Sequence, residues 1–348
     1  MTMNIKVYGT GTSGYQMVLS TLNHFVSKAG IEPQITQITD VVDFLEKKIY
    51  SVPAVEINDE AAISLKTNGS FNHSLREIVK NVLKRENYGK MAHIVVPIDF
   101  SESAINAFFY AQKLASDFDA VVDVVHVTVP LNFEIPDHQL LEIQMTSAEK
   151  ELDQFVKKYD TDWGTDILKN AFVEGHSEVG FPADRIIHLG KKINAKMIIM
   201  GAGENDLLAT IVGSTTKIMI NNTTVPLLIV PKDAKFKPVK TIVLAIESEE
   251  DLKPSMEAIA EIKKIYNPKI YAVHHGPGVI DTYGFEEVSL ILLDSGQAQE
   301  RIDQFARSVD ADILVVKKKQ RNLLEKVFHK SFSNGVALTS PIPVLIIK

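Results

Sequence analysis

The sequence has no cysteine among its 348 residues. This absence excludes disulfide bonds, thiolate metal sites, cysteine nucleophiles and dithiol redox chemistry. Long apolar runs are missing too, since stretches such as VPLLIV at 225–230 are far shorter than the roughly 20 residues of a membrane-spanning helix. The chain also enters a strand-like pattern directly, without the features of a secretory signal. We therefore expect a cytoplasmic protein that does not engage a membrane.

Excess positive charge is absent as well, because 37 Lys and Arg stand against 44 Asp and Glu, for a formal net charge of −7. Nucleic-acid binding needs a clustered basic face, and we interpret the one basic run, KKKQR at 317–321, as a solvated loop. The neighbours His274 and His275 point to opposite faces of a strand. The aspartates at 117–123 lack the glycine and glutamate of a calcium loop. We predict no nucleic-acid partner, no metal ligands and no catalytic residues.

Three segments each alternate strand-like and helical patterns, which is typical of α/β domains built on mostly parallel sheets. A chain of this length with 45% apolar residues can fill two or three domain cores. Two stretches are interpreted as short linkers: RENYGK at 85–90, which is polar, and PKDAKFKP at 231–238, which is bracketed by prolines. The predicted domains are therefore residues 1–88, 91–232 and 239–348.

The first segment runs from the strand NIKVY through GTGTSG into a helix, and later carries SVP before another strand. This order resembles the thioredoxin fold, in particular its small redox-active disulfide proteins. Where that family has Cys-x-x-Cys, this chain has Thr12-Ser13-Gly14-Tyr15, and Val52-Pro53 matches the family's cis-proline position. A hydroxyl cannot replace a thiolate in disulfide exchange, so we expect a redox-inactive domain. Its old active-site face either binds a peptide or partner, or the domain is retained for packing.

The second segment suggests a ligand site at a sheet edge. Its first strand, 93–98, ends before Asp99, and Ser101 or Ser103 can cap the helix that follows. Another strand is predicted around 166–174, and the fourth strand ends at Gly201 before a glycine-bearing loop. Ligands of open parallel sheets bind beyond the carboxyl ends of strands where the strand order reverses. A glycine loop entering a helix can hold phosphate, while a carboxylate accepts hydrogen bonds from a nucleoside.

The third segment repeats the second. VVPID aligns with VLAIE, VVHV with YAVH, INAKMIIM with VDADILVV and TTVPLLIV with TSPIPVLII. We interpret this as a duplication whose two copies pair within one chain. The proline-flanked last strands, 226–230 and 343–347, are the predicted contact edges.

The motifs VPIDFSESA, VHV, GFPAD and MGAG with its later GST resemble the universal stress protein family. The resemblance implies two Rossmann-like (adenine nucleotide alpha hydrolase-like) parallel-sheet domains that form a pseudo-dimer. It also implies an ATP motif, Gly-x2-Gly-x9-Gly followed by Ser or Thr. Gly203 and Gly213 keep the nine-residue spacer, but only Ala202 separates Gly201 from Gly203. The implied contact residues are Pro97, Ile98, Asp99, Val127, Met200, Gly201, Gly203, Gly213, Ser214, Thr215 and Thr216.

The third segment departs from that pattern. Glu247 stands at the place of Asp99, lysines at 317–319 replace the first glycines, and Lys330-Ser331 replaces the last glycine and serine. Side chains there would crowd phosphates approaching the backbone. We interpret this copy as degenerate.

Two functions remain open. One is a stress-response regulatory protein that binds an adenine nucleotide, ATP with or without Mg²⁺, in residues 91–232. The alternative is a nucleotide-free scaffold for protein partners, which the shortened spacer at Ala202 favours. For a third function, weak ATP hydrolysis, the sequence offers no residue identifiable as the general base. The sequence is also compatible with a homo-oligomer.

Overall fold

The computed structural model of the chain describes residues 3–28, 33–59, 62–64, 91–130, 138–160, 172–202, 214–275, 284–285, 287–293, 298–317 and 342–348. The chain divides into two compact units, which are described separately. One consists of residues 1–92 and 153–170, the other of residues 93–152 and 171–348. In the described ranges, no helix combines the length and apolar character needed to cross a membrane.

The N-terminal unit contains a four-stranded sheet in the order β2-β1-β3-β4. Its elements are β1 (Met3–Tyr8), α1 (Ser13–Lys28), β2 (Pro33–Ile38), α2 (Val41–Glu46), β3 (Ala54–Ile57) and β4 (Ile63–Ser64). Strand β2 is parallel to β1, whereas β3 is antiparallel to it. The Val52-Pro53 bond is cis, as predicted. The predicted closing helix at 74–84 lies outside the described residues.

The second unit is built on one ten-stranded sheet, ordered β12-β11-β10-β13-β14-β9-β8-β5-β6-β7. Its strands are β5 (Ala92–Pro97), β6 (Ala120–Thr128), β7 (Phe172–Val179), β8 (Met197–Gly201), β9 (Leu227–Val230), β10 (Thr241–Ile246), β11 (Lys269–His275), β12 (Val288–Leu293), β13 (Ile313–Lys317) and β14 (Val344–Ile347). Its first helix is α3 (Glu102–Asp117). Helix α4 (His138–Asp160) starts in this unit, and its residues 153–160 belong to the first one. The other helices are α5 (Pro182–Lys192), α6 (Ser214–Asn222), α7 (Leu252–Ala258), α8 (Ala260–Tyr266) and α9 (Ala298–Ser308), with a 3₁₀ turn at Glu249–Asp251.

The two sequence repeats have the same strand order. The first has the order β9-β8-β5-β6-β7 and the second β14-β13-β10-β11-β12. In each repeat, the first strand along the chain is the central one, and the last strand lies at the boundary between the repeats. The boundary is an antiparallel pairing of the two last strands, with Leu228 opposite Leu345. The predicted contact edges are therefore confirmed. One apolar core extends across the boundary, because Ile229 and Ile346 belong to the same buried cluster.

Three sequence predictions need correction. The strand predicted around 166–174 is β7 at Phe172–Val179, an edge strand in which polar residues interrupt the apolar pattern. The pattern LKPSMEAIAEIKKIY at 252–266 predicts one helix, but the structure has two, because Ile259 leaves helical geometry at φ −101° and ψ 7°. The alignment of VVHV with YAVH is one residue out. His126 Nδ1 lies 2.9 Å from the carbonyl oxygen of Ile98, and His274 Nδ1 lies 3.3 Å from that of Ile246, so these histidines correspond.

Candidate functional site

The candidate site lies where β5 and β8 end side by side. These strands are parallel neighbours, with Ile94 beside Met197 and Val95 beside Ile198. The chain leaves β5 toward β6 and β7 on one side and later returns to β8 on the other. This reversal is the topological switch point at which open α/β sheets bind ligands. Asp99 and Gly201 therefore follow two strands that are neighbours in the sheet.

Gly201 ends β8 in direct contact with the first turn of α3. A Cβ atom at this position would lie 2.4 Å from Ser103 Oγ and 2.6 Å from the Ser103 carbonyl oxygen. Ser103 is buried, so it cannot move aside into solvent. Only glycine fits this backbone approach, and the strand end therefore carries no side chain.

Asp99 is exposed just beyond the end of β5. Its Oδ1 atom accepts hydrogen bonds from the Ser101 backbone N–H at 3.1 Å and the Ser101 hydroxyl at 2.6 Å. Ser101 is also the N-cap of α3, because its Oγ accepts a bond from the Ala104 N–H at 3.2 Å. Between them, Phe100 takes a left-handed φ of 63° and stacks its ring on His126 with centroids 5.0 Å apart. The Asp99 carboxylate is thus held in position while it remains accessible.

The remaining predicted residues contribute in different ways. Pro97 ends β5 half-buried, whereas the Ile98 and Met200 side chains are buried. Met200 belongs to the apolar cluster of the sheet, and Val127 packs against that cluster, so both can face a ligand only through their backbone. Helix α6 starts at residue 214, with Thr215 half-buried and Thr216 buried in its first turn. Gly203 and Gly213 lie outside the described residues.

A helix N-terminus presents backbone N–H groups without intrahelical partners, which favours anions there. The start of α6, with Ser214 as its first residue, is therefore the described element best suited to phosphate. The structure brings residues 97–99 and 200–201 to one sheet edge, because β5 and β8 end there together.

The second repeat fills the corresponding place with an ion pair. Lys317, at the position equivalent to Gly201, donates to Asp251 Oδ1 at 2.7 Å, and both side chains are less than a tenth exposed. Asp251 is equivalent to Ser103, and its Oδ2 accepts bonds from the backbone N–H groups of Glu247 and Ser248 at 3.0 and 3.2 Å. Burial raises the pKa of Asp251, but the Lys317 bond and the backbone N–H groups outweigh it and hold this pKa below its ordinary value. The lysine side chain that was expected to crowd phosphates near the backbone is thus held at the end of its strand by Asp251.

The N-terminal unit has a buried tyrosine at one of the two cysteine positions of the thioredoxin pattern. Tyr15, at the second cysteine position, is buried, and its ring lies 2.3 Å from where a Cβ of Gly9 would be. Its backbone N–H approaches Thr12 Oγ1 at 3.4 Å. Burial raises the pKa of the Tyr15 hydroxyl. A large aromatic ring therefore stands where the thioredoxin pattern has a small thiol.

Comparison with known proteins agrees with this architecture. The model of the universal stress protein family matches residues 91–231 and 282–348, together more than half of the chain. A thioredoxin domain model matches residues 3–69. Universal stress protein MJ0531 of Methanocaldococcus jannaschii is 29% identical over 170 residues, which cover 47% of this chain and 95% of that protein.

Two solved structures are among those similar to this chain. A universal stress protein from Archaeoglobus fulgidus matches with a TM-score of 0.57 and 15% identity, over 74% of this chain and 99% of its own. A universal stress protein in complex with cAMP matches at 17% identity and a TM-score of 0.29, over 41% of this chain and 98% of its own. On the evidence of the matched family model, this chain belongs to the universal stress protein family and carries a thioredoxin-like domain at its N-terminal end.

Proposed function

We propose that residues 91–232 bind an adenine nucleotide at the edge formed by β5 and β8, and that the protein acts as a stress-response regulator. One observation carries the proposal. At the switch point of the sheet, the exposed carboxylate of Asp99 accompanies a strand end, Gly201, that has no side chain. Family membership supports the same assignment.

The residues present fit such a ligand. Asp99 is suited to accept hydrogen bonds from ribose hydroxyls or a base amino group. The backbone N–H groups at the start of α6, from Ser214 to Thr216, suit phosphate oxygens. The family motif would assign Gly203 and Gly213 to phosphate contact as well. A bound nucleotide would bring the phosphate charge, with or without Mg²⁺, and the chain would supply orientation and anion binding.

A nucleotide-free scaffold for protein partners is the alternative. Two features favour it. The spacer between Gly201 and Gly203 is one residue short, and Asp99 Oδ1 already accepts two bonds from Ser101. A nucleoside would have to compete with those bonds or use the second carboxylate oxygen.

Titration calorimetry of the tag-free full chain with ATP, AMP and cAMP tests the proposal. We expect one ATP per chain and a loss of about 1–3 kcal/mol in binding free energy for Asp99→Ala, because hydrogen-bond partners are left unpaired. The matched control is Glu247→Ala at the equivalent position of the second repeat, which should bind like the native protein. Gly213→Val should abolish binding without unfolding the chain. No heat of binding at millimolar nucleotide would favour the scaffold.

We also propose the domain boundaries 1–88, 91–232 and 239–348, with the first domain silent toward disulfides. The absence of cysteine supports this, because no thiolate exists to attack a disulfide. Turnover of insulin disulfides above the protein-free rate would contradict it.

A further inference from the structure

Four ionisable side chains converge on three neighbouring strands of the first repeat, away from the residues proposed for nucleotide. They are His93 on β5, Asp123 on β6, and Glu174 with His176 on β7. In the parallel register Asp123 lies beside Glu174, and Val125 lies beside His176. Because side chains alternate along a strand, Glu174 and His176 share the face on which Asp123 lies.

The distances are short enough for a common ligand. Asp123 Oδ1 lies 2.8 Å from His176 Nε2, and Asp123 Oδ2 lies 2.8 Å from His93 Nδ1. One ligating atom from each of Asp123, Glu174 and His176 falls within 4.8 Å of the others. The Asp123 side chain is 2% exposed, whereas that of His176 is 26% exposed on an edge strand. Among the described residues, the cluster is therefore buried at Asp123 and partly exposed at His176, on the last strand of the sheet.

Electrostatics favour a cation at this point. Two carboxylates, Asp123 and Glu174, meet two imidazoles here. A buried carboxylate is costly unless it is paired or coordinates a metal. A divalent cation at this point would lie against the carboxylate oxygens of Asp123 and Glu174 and the imidazole nitrogen of His176.

The second repeat shows that the fold itself does not require this cluster. With His126 equivalent to His274, the position of Asp123 is taken by Tyr271, whose ring packs edge-on against Phe305 with centroids 5.5 Å apart. Tyr271 lies beside Ser289, and Val273 lies beside Ile291, at the places of Glu174 and His176. The same sheet position is thus built from aromatic, hydroxyl and aliphatic residues. The ligating set in the first repeat is an addition to the architecture.

We propose that His176 Nε2, Asp123 and Glu174 bind a divalent cation of the zinc class, with His93 as the residue that orients Asp123. Zinc accepts imidazole nitrogen and carboxylate oxygen at about 2.0–2.2 Å, and three protein ligands leave one position open. The His93 bond to the second carboxylate oxygen is the outer-shell contact that fixes a metal ligand. The bound ion would tie the edge strand β7 to β6.

The test is calorimetric titration of the chelator-treated, tag-free full chain with Zn²⁺ alone. We expect one high-affinity ion per chain and at least a tenfold loss of affinity in His176→Ala and in Glu174→Gln. His188→Ala is the matched control, because His188 is an exposed histidine on α5 and should bind Zn²⁺ like the native protein.

Circular dichroism establishes that each variant is folded. Both substitutions lie on the edge strand, and if His176→Ala does not fold, Glu174→Gln decides alone. Titration with Co²⁺ adds a spectroscopic readout, since visible absorption of a bound ion should disappear in the same two variants. Absence of Zn²⁺ binding, or equal affinity in the native, His176→Ala and Glu174→Gln proteins, would overturn the proposal. Neither result bears on nucleotide binding.

Discussion

The two repeats have the same strand order and pair through their last strands, yet they differ in the residue that ends the fourth strand. In the first, Gly201 ends the fourth strand without a side chain and lies against Ser103. In the second, Lys317 stands at the equivalent position and is paired with Asp251 in the interior. The difference shows that the sheet can be conserved as a scaffold while the ends of its strands change chemistry.

These exchanges are physically coupled. A buried lysine ammonium is tolerated only with a charged partner, so a lysine at position 317 requires an acceptor such as Asp251 nearby. Conversely, an aspartate at position 103 would be unfavourable in the first repeat, because Gly201 has no side chain that could pair with it. Each repeat therefore carries a matched pair of residues.

The largest expected effect is that of Lys317→Met. Removing the ammonium leaves the Asp251 carboxylate buried without the cation with which it pairs, which should cost about 3–5 kcal/mol in the free energy of unfolding. Urea denaturation of the full chain measures it. Arg307→Met is the control, because Arg307 pairs with Asp303 at the surface and its loss should cost under about 1 kcal/mol. Equal effects would mean that burial does not distinguish the two pairs.

Asp251→Asn should destabilise the chain by about 3 kcal/mol at pH 7, because Lys317 then has no anionic partner. The effect depends on pH. The folded pKa of Asp251 lies below its unfolded value, so its contribution is complete above about pH 4 and is lost as the pH falls through the folded pKa. The gap between native and variant proteins should therefore close in acid. Denaturation midpoints measured at pH 7 and at lower pH check this, and a constant gap would contradict it.

Gly201→Ala should cost about 2 kcal/mol, because its methyl group would overlap the backbone of Ser103. A further test introduces the ion pair of the second repeat into the first. Gly201→Lys combined with Ser103→Asp recreates the second repeat's ion pair and should be more stable than Gly201→Lys alone. Thermal denaturation compares the three variants. If the double variant is no better than the single one, the pair depends on further differences around it.

The smallest expected effect is that of Ser101→Ala. Loss of the N-cap of α3 should cost about 1 kcal/mol in the free energy of unfolding. Ser248 opens the corresponding turn of the second repeat with a capping box, so Ser248→Ala should cost a similar amount. Urea denaturation compares them, and a much larger loss for either would indicate that the serine has another structural role.

Sequence patterns predicted the strands that consist of continuous apolar runs. The apolar run KIYAVHH predicts a strand at 269–275, where β11 lies, and the proline-flanked last strands do pair. The strand β7 was predicted several residues too early, because an edge strand carrying polar residues has no clear apolar alternation.

The candidate site divides in the same way. Asp99 and Gly201 are visible in the sequence because they follow recognisable strands. The partnership of Lys317 with Asp251 joins residues 66 apart, and the cluster around Asp123 draws on three strands. Such contacts depend on strand register, which side-chain composition does not encode locally. An acidic residue two positions before a histidine, as in Glu174-Gly-His176, is the signal that could have suggested the cluster.

The antiparallel union of β9 with β14 has an evolutionary consequence. In an assembly of two identical subunits, every substitution appears twice, so a change that benefits one half is imposed on the other. Here both halves are encoded separately within one polypeptide, and their association is an intramolecular event that dilution cannot reverse. Each half can therefore mutate alone. Asymmetry at the strand ends, with glycine in one half and lysine in the other, becomes heritable without loss of the partnership.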